Sequence, residues 1–264
     1  MEAYEPSLKT KRELDQLNYY IRLKQLPNNI VPFDSDDKSL EGEYNRQSNR
    51  KPKTFGFTVR KLIQQYNIFL LQIEELTTDR QGPWVMNNLK VCFYLAKYPK
   101  ATTSVQEYIQ YFGDHKHEAQ VELYTDGSKG QQGVGAAAAI LIEGDNTKFR
   151  QVHLNNMASV HTAELVAINT ALKALRYGTY GCDCVIYSDS RSALQTLQSL
   201  NHGNLVSAIK EQVAELARRD NEVTFCWLPG HAGIYGNELA DKKAKEAVNV
   251  KPLDIHIKIP VSDR

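Results

Sequence analysis

Long apolar runs are missing from this chain. The longest, VGAAAAILI from Val134 to Ile142, is far too short to span a bilayer, and the N-terminus carries acids in place of an apolar signal core. The expectation is a soluble protein with no membrane partner, intracellular in the nucleus or cytoplasm and not secreted. An excess of charge of one sign is also missing: 32 Lys and Arg face 31 Asp and Glu, a formal net charge of +1. That balance argues against attachment to nucleic acid by bulk charge and turns attention to local patches. Cysteine is scarce, and Cys92, Cys182, Cys184 and Cys226 lack the spacing of a disulfide scaffold. Reduced thiols are expected, because CDC at 182–184 has no second ligand pair with which to build a zinc site. Internal repeats are absent as well. What remains, over 264 residues of ordinary apolar and charged content, is enough to bury a core in one large domain or two smaller ones.

The first 117 residues read as mostly helical and polar. SLKTKRELDQLNYYIRLKQLPNN sets Leu8, Leu14, Leu17, Ile21 and Leu23 at helical intervals before Pro27 and two asparagines stop it. A polar linker near 34–53 has no apolar period and ends in Arg46, Arg50, Lys51 and Lys53. A second amphipathic stretch, FTVRKLIQQYNIFLLQIEEL, precedes GPW at 82–84, where Trp84 reads as a packing anchor. From Glu118 the pattern becomes strands alternating with helices. VELYTD is expected as a strand ending at a turn in DGSKG, and GVGAAAAILIEG and KFRQVHL complete a meander. The small Gly and Ala side chains in the second strand predict close approach of a helix. HTAELVAINTALKALRYG carries Leu165, Ile168, Leu172 and Leu175 at helical spacing and ends on Gly178. CVIYSD is a short buried strand, Ser190 can cap the helix RSALQTLQSL, LVSAIKEQVAELARR is another helix, EVTFCWL a strand, and NELADKKAKEA a last helix. The sum is an α/β fold, a mixed five-stranded sheet with helices on both faces, over 118–250, with 251–264 as a C-terminal tail.

Function in open α/β sheets gathers beyond the carboxyl ends of the strands. Asp126 and Asp189 each end a strand, so they converge if those strands are neighbours. Glu164, early in the first long helix, and Asp241, in the last, can lean over the same point. Four carboxylates without cations would raise one another's pKa values. They ask for a divalent ion, and hard oxygen donors without thiolate favour Mg²⁺ or Mn²⁺, which are commonly shared with substrate phosphates. WLPGHAGIYGNELAD adds His231 between Gly230 and Gly233, a titratable ring on a flexible loop.

Taken together, YTDGS, TAEL, YSDS and WLPGHAGIYGNELAD resemble type 1 ribonuclease H in the form carried by non-LTR retrotransposon reverse transcriptase polyproteins, over about Glu118 to Val248. The resemblance implies a ribonuclease H-like fold and an endonuclease that cuts the RNA strand of RNA/DNA hybrids. It implies two Mg²⁺ ions, replaceable by Mn²⁺, held by Asp126, Glu164, Asp189 and Asp241, with His231 as a mobile catalytic histidine. It also implies substrate contacts at Gly127 and Ser128, toward the RNA backbone, and at Asn237 and Glu238, toward the scissile phosphate and the 2′-hydroxyl. Ser159, Val160 and His161 lack the asparagine that cellular relatives use against nucleic acid, and QSLNHGN leaves no room for a basic handle. Lys242, Lys243 and Lys245 could meet phosphates, although a lysine run on a terminal helix is more often solvated.

KRELDQLNYYIRLKQLPNN, an Arg- and Leu-containing helix ending in Pro and Asn, and GPW at 82–84 resemble the segment between reverse transcriptase and ribonuclease H in those polyproteins, which implies reverse transcriptase as a further partner, but no polymerase motif is present. Two other readings stay open. One is a catalytically silent relic that binds nucleic acid or protein; the other, which PGHAGIYGNELAD disfavours, is a transposase or integrase.

Overall fold

The computed structural model describes residues 7–25, 55–65, 89–142, 147–156, 158–176, 179–199 and 203–250. The polar linker near 34–53, Trp84, Gly178 and the tail 251–264 lie outside them. The chain divides into two compact units, Met1–Asp79 and Arg80–Arg264.

In the first unit, α1 (Leu8–Gln25) and α2 (Phe55–Gln65) bury Leu17 and Tyr20 against Val59 and Leu62. The ring edge of Tyr19 meets Phe55 at 5.5 Å between centroids. Both helices fall where apolar residues recur at helical spacing.

The second unit is built on a sheet of order β1-β6-β5-β2-β3-β4, from β1 (Lys90–Cys92), β2 (Val121–Gly130), β3 (Gly133–Ile142), β4 (Lys148–Leu154), β5 (Asp183–Ser188) and β6 (Glu222–Trp227). β2, β3 and β4 form the expected antiparallel meander, while β5, β6 and β1 continue the sheet in parallel. The mixed sheet is as expected, but it has six strands and not five. β1 pairs Lys90 with Thr224 and Cys92 with Cys226, covering the outer edge of β6. Three residues are too few for a period to declare itself; partner-strand hydrogen bonds create this strand.

The first turn also differs from expectation. β2 does not stop at Asp126: it pairs with β3 as far as Gly130↔Gly133, and the turn is Gln131–Gln132. Antiparallel pairing with β3 outlasts parallel pairing with β5, which ends at Thr125↔Ser188.

Alternation along the strands sends side chains to two cores. Leu123, Ile186 and Phe225 face α4 (Val160–Leu175), α5 (Arg191–Gln198) and α6 (Asn204–Ala217), packing on Ile168, Leu194 and Ile209. Tyr124, Tyr187 and Cys226 face the other way, with Leu95, Tyr108 from α3 (Val105–His115) and Ala240 from α7 (Tyr235–Glu246). The close helix approach expected of the small residues in β3 is present, because a Cβ on Gly135 would lie 2.9 Å from Ala247 Cβ and collide with the backbone of Ala244. Ser190 caps α5 as expected, accepting from Ala193 N–H, and Ser159 caps α4 through Thr162 N–H. All four cysteines are free thiols. No described helix is long and apolar enough to cross a membrane.

Candidate active site

Asp126 and Asp189 are each the first residue beyond the last parallel pair, Thr125↔Ser188. The two strands part there, and the carboxylates occupy the opening. Glu164 joins them from the start of α4, brought in by Gly127: a Cβ at 127 would lie 2.7 Å from Ala163 C and collide with Glu164 N. Only glycine lets the helix cross the strand so closely. The Gly127 backbone N–H beside them favours the charged forms of both Asp126 and Glu164.

Carboxylate oxygens of Asp126, Glu164 and Asp189 lie within 4.8 Å of one another. Asp126 and Glu164 are each only 6% exposed. Burial first, and then the fields of Asp189 and Asp241, push Asp126 up to about 7. Burial, with the fields of Asp126 and Asp189, pushes Glu164 up to about 9. Burial also raises Asp189, against a hydrogen bond from Asn237 and the field of His231. Asp241 stands on α7, where Lys245 Nζ donates to its Oδ2 at 2.7 Å.

Two buried acceptors, Glu164 Oε2 and Asn237 Oδ1, make no hydrogen bond. Orphaned buried oxygens are costly, and one on a residue grouped with other carboxylates meets the requirement of a hard divalent cation. The donor set is all oxygen, so Mg²⁺ or Mn²⁺ fits these residues and a thiophilic metal does not.

The histidine loop enters beside Asp189. Trp227 Nε1 donates to the Asp189 carbonyl at 3.0 Å and Leu228 N–H to the Ser188 carbonyl at 3.0 Å, which pins the end of β6. A Cβ on Gly230 would lie 2.6 Å from Asp189 Oδ2. His231 has φ 52° and Gly233 φ 72°, so the chain reverses sharply between them. His231 Nδ1 lies 3.9 Å from Glu238 Oε2, and Glu238 Oε1 accepts from Gly233 N–H at 3.3 Å. His231, Glu238 and Asp241 form a second group with ligand-capable atoms within 4.8 Å.

A family model described as RNase H matches residues 118–249, half of the chain. Ribonuclease H of Chromohalobacter salexigens is 32% identical over 143 residues, covering 49% of this chain and 85% of that protein. Ribonuclease H of Shewanella amazonensis is 31% identical over 154 residues, 52% of this chain and 93% of its own. That of a Bradyrhizobium species is 33% identical over 144 residues, 48% and 89%. The chain belongs to the ribonuclease H family.

Ribonuclease H members are enzymes, and within the matched residues all five expected catalytic side chains gather at one end of the sheet. The expected substrate residues divide by environment. Gly127 is buried between strand and helix, and Asn237 is 2% exposed and turned to Asp189. Ser128 and Glu238 are partly open to solvent. Lys243 Nζ donates to Glu246 Oε2 at 2.7 Å, so two of the three lysines, with Lys245, are engaged by acids. Reading the sequence did not bring out Trp227 as an anchor or Lys100, whose Nζ donates to the Gly230 carbonyl at 2.7 Å. Trp227 opens the histidine motif and could have been found; an isolated lysine 130 residues upstream carries no signal.

Proposed function

We propose that this chain is an endoribonuclease that cuts the RNA strand of RNA/DNA hybrids by phosphodiester hydrolysis at a site for two divalent ions, Mg²⁺ with Mn²⁺ able to replace it. The observation that carries the reading is the group of Asp126, Glu164 and Asp189 oxygens within 4.8 Å, with Glu164 Oε2 buried and unbonded. Asp126, Glu164, Asp189 and Asp241 would hold the ions. Bound there, divalent ions would ease formation of the attacking hydroxide and stabilise charge on the departing 3′ oxygen.

The remaining roles belong to the chain's own atoms. Gly127 N–H would steady two of the carboxylates and the Asn237 amide a third, since each favours the charged form of its neighbour. His231, its side chain 67% exposed, would receive or return a proton or help product leave, with Glu238 beside it as a guide. Ser128 and Glu238 would meet the hybrid, the latter near the 2′-hydroxyl that tells RNA from DNA. We place the start of the catalytic domain ahead of β1, not at residue 118, because β1 and α3 complete its sheet edge and core.

Origin in a non-LTR retrotransposon polyprotein, with reverse transcriptase as partner, is supported by the Arg- and Leu-containing helix α1 and by GPW at 82–84. A second reading, a silent relic that binds protein or nucleic acid, draws on the exposed Leu8, Leu14 and Tyr19 of α1. Purified protein offered RNA/DNA hybrid, double-stranded RNA, double-stranded DNA and single-stranded RNA separates the readings. Cleavage of the hybrid's RNA strand alone, in Mg²⁺ or Mn²⁺ and not in Ca²⁺, is expected. Hybrid binding with no cleavage in any metal would favour the relic, and cleavage of duplex DNA a transposase.

A further inference from the structure

The loop that carries His231 is held from two sides. Toward the acids, Gly230 abuts Asp189. On the other side stands the segment that follows β1, outside the residues matched to the family. A Cβ on Gly233 would lie 2.6 Å from Val105 Cγ1 and 3.3 Å from Ile109 Cδ1, so the loop backbone rests on α3. Ala232 and Ile234 are buried in the same cluster as Leu95 and Tyr108. Lys100 Nζ, in the connection to α3, donates to the Gly230 carbonyl at 2.7 Å.

The holding segment is itself firmly built. Ser104 and Glu107 form a reciprocal capping box at the start of α3. Tyr108 Oη donates to the Tyr98 carbonyl at 2.7 Å, and the rings of Tyr98 and Tyr111 stack at 4.0 Å between centroids. Opposite this frame, His231 adopts a left-handed backbone, a conformation that persists in a non-glycine residue only where neighbours over-determine it.

We propose that residues 94–115 brace the histidine loop, with Lys100 as a positioning residue that fixes the Gly230 carbonyl and so sets how often His231 stands over the acids. The inference rests on the reading that His231 serves the cleavage reaction. Lys100 touches neither the carboxylates nor the imidazole. It acts through the backbone next to His231, and its side chain is exposed enough to be changed without disturbing the core.

The test compares the full chain with Lys100→Ala and Lys100→Arg by hydrogen exchange of the 230–233 amides and by single-turnover cleavage of an RNA/DNA hybrid. In Lys100→Ala the loop amides exchange about tenfold faster. The single-turnover rate falls by about threefold to tenfold while the half-saturating enzyme concentration is unchanged, because His231 is poised for a smaller fraction of the time. Lys100→Arg restores both. Unchanged loop exchange in Lys100→Ala overturns the brace. So does a weaker affinity with a shallower salt dependence and an unchanged rate, which would make Lys100 a phosphate contact. Exchange needs no catalysis: a loosened loop in an otherwise inactive protein supports the brace and sinks the proposed function, whereas an active protein with an unloosened loop does the reverse.

Discussion

Gly127 and Glu164 meet backbone to backbone: a Cβ on Gly127 would collide with Glu164 N, so no side chain at 127 can stand between strand and helix. A methyl group there would collide with the first turn of α4, backbone against backbone, where nothing flexible can yield. Gly127→Ala is expected to cost about 3 kcal/mol of stability, the upper range for overpacking, and to displace Glu164 from the other acids. Chemical denaturation and cleavage assays check it. A stable variant with full activity would show that the crossing is looser than described.

The second prediction concerns pH. An unfolded carboxyl titrates near 4, whereas folded Asp126 titrates at about 7 and Glu164 at about 9. Between those limits the folded chain holds more protons than the unfolded one, so stability is lost as pH rises. In chelator, the thermal midpoint should fall from pH 5 to pH 8, and the loss should amount to roughly a few kcal/mol. Adding Mg²⁺ should recover more stability at pH 8 than at pH 5, because the ion competes with protons for the same oxygens. A midpoint that rises with pH in chelator would contradict the buried, mutually repelling acids.

Asp126→Asn follows from the same electrostatics and separates activity from stability. The amide keeps the shape, removes a charge that burial and Asp189 disfavour, and leaves a poorer ligand for a hard cation. Cleavage should drop below detection while stability at pH 8 in chelator rises by about 1–3 kcal/mol. Turnover at saturating Mg²⁺ equal to the parent would remove Asp126 from the site.

His231→Ala should lower the cleavage rate by roughly 10²-fold without abolishing it, the usual scale for one proton-transfer group. The fold should not notice, since the side chain is 67% exposed and its nearest acid, Glu238 Oε2, is 3.9 Å away. A parental rate and a parental pH profile would make the histidine incidental.

Much of this architecture was legible because burial imposes a period. Helix α4, with Leu165, Ile168, Leu172 and Leu175, and strand β5, bounded by Asp189 and capped onward by Ser190, are local patterns, and the structure follows them. The convergence of Asp126 and Asp189 could be argued from strand ends alone. The end of β2 could not, because pairing with β3 decides it and Gly127, Ser128 and Gly130 look like a turn when read locally. β1 is likewise a product of its partner: Lys90 to Cys92 become a strand only by lying along Thr224 to Cys226. Lys100 is the extreme case, since its partner is a backbone carbonyl in a loop that tertiary structure alone brings near.

The last prediction concerns where the catalytic unit begins. A fragment of residues 118–264 contains all four acids and His231, and by sequence pattern it ought to fold and cleave. We propose instead that it does not stand alone, because the fragment lacks β1, which covers the edge of β6, and loses Leu95 and Tyr108, which are 0% and 2% exposed. Removing them uncovers part of the cluster that holds Tyr124, Tyr187, Cys226, Leu228 and Ile234. Each large buried side chain contributes about 1.5–3 kcal/mol, and an uncovered strand edge invites association. A fragment from residue 80 onward, which keeps the whole compact unit, should be monomeric, unfold cooperatively and cleave hybrid like the full chain. The fragment from residue 118 should aggregate or melt at a markedly lower temperature, and its histidine loop should exchange freely. If instead both fragments melt together and cut at the same rate, β1 and α3 are an appendage, and the catalytic unit begins where the family match does.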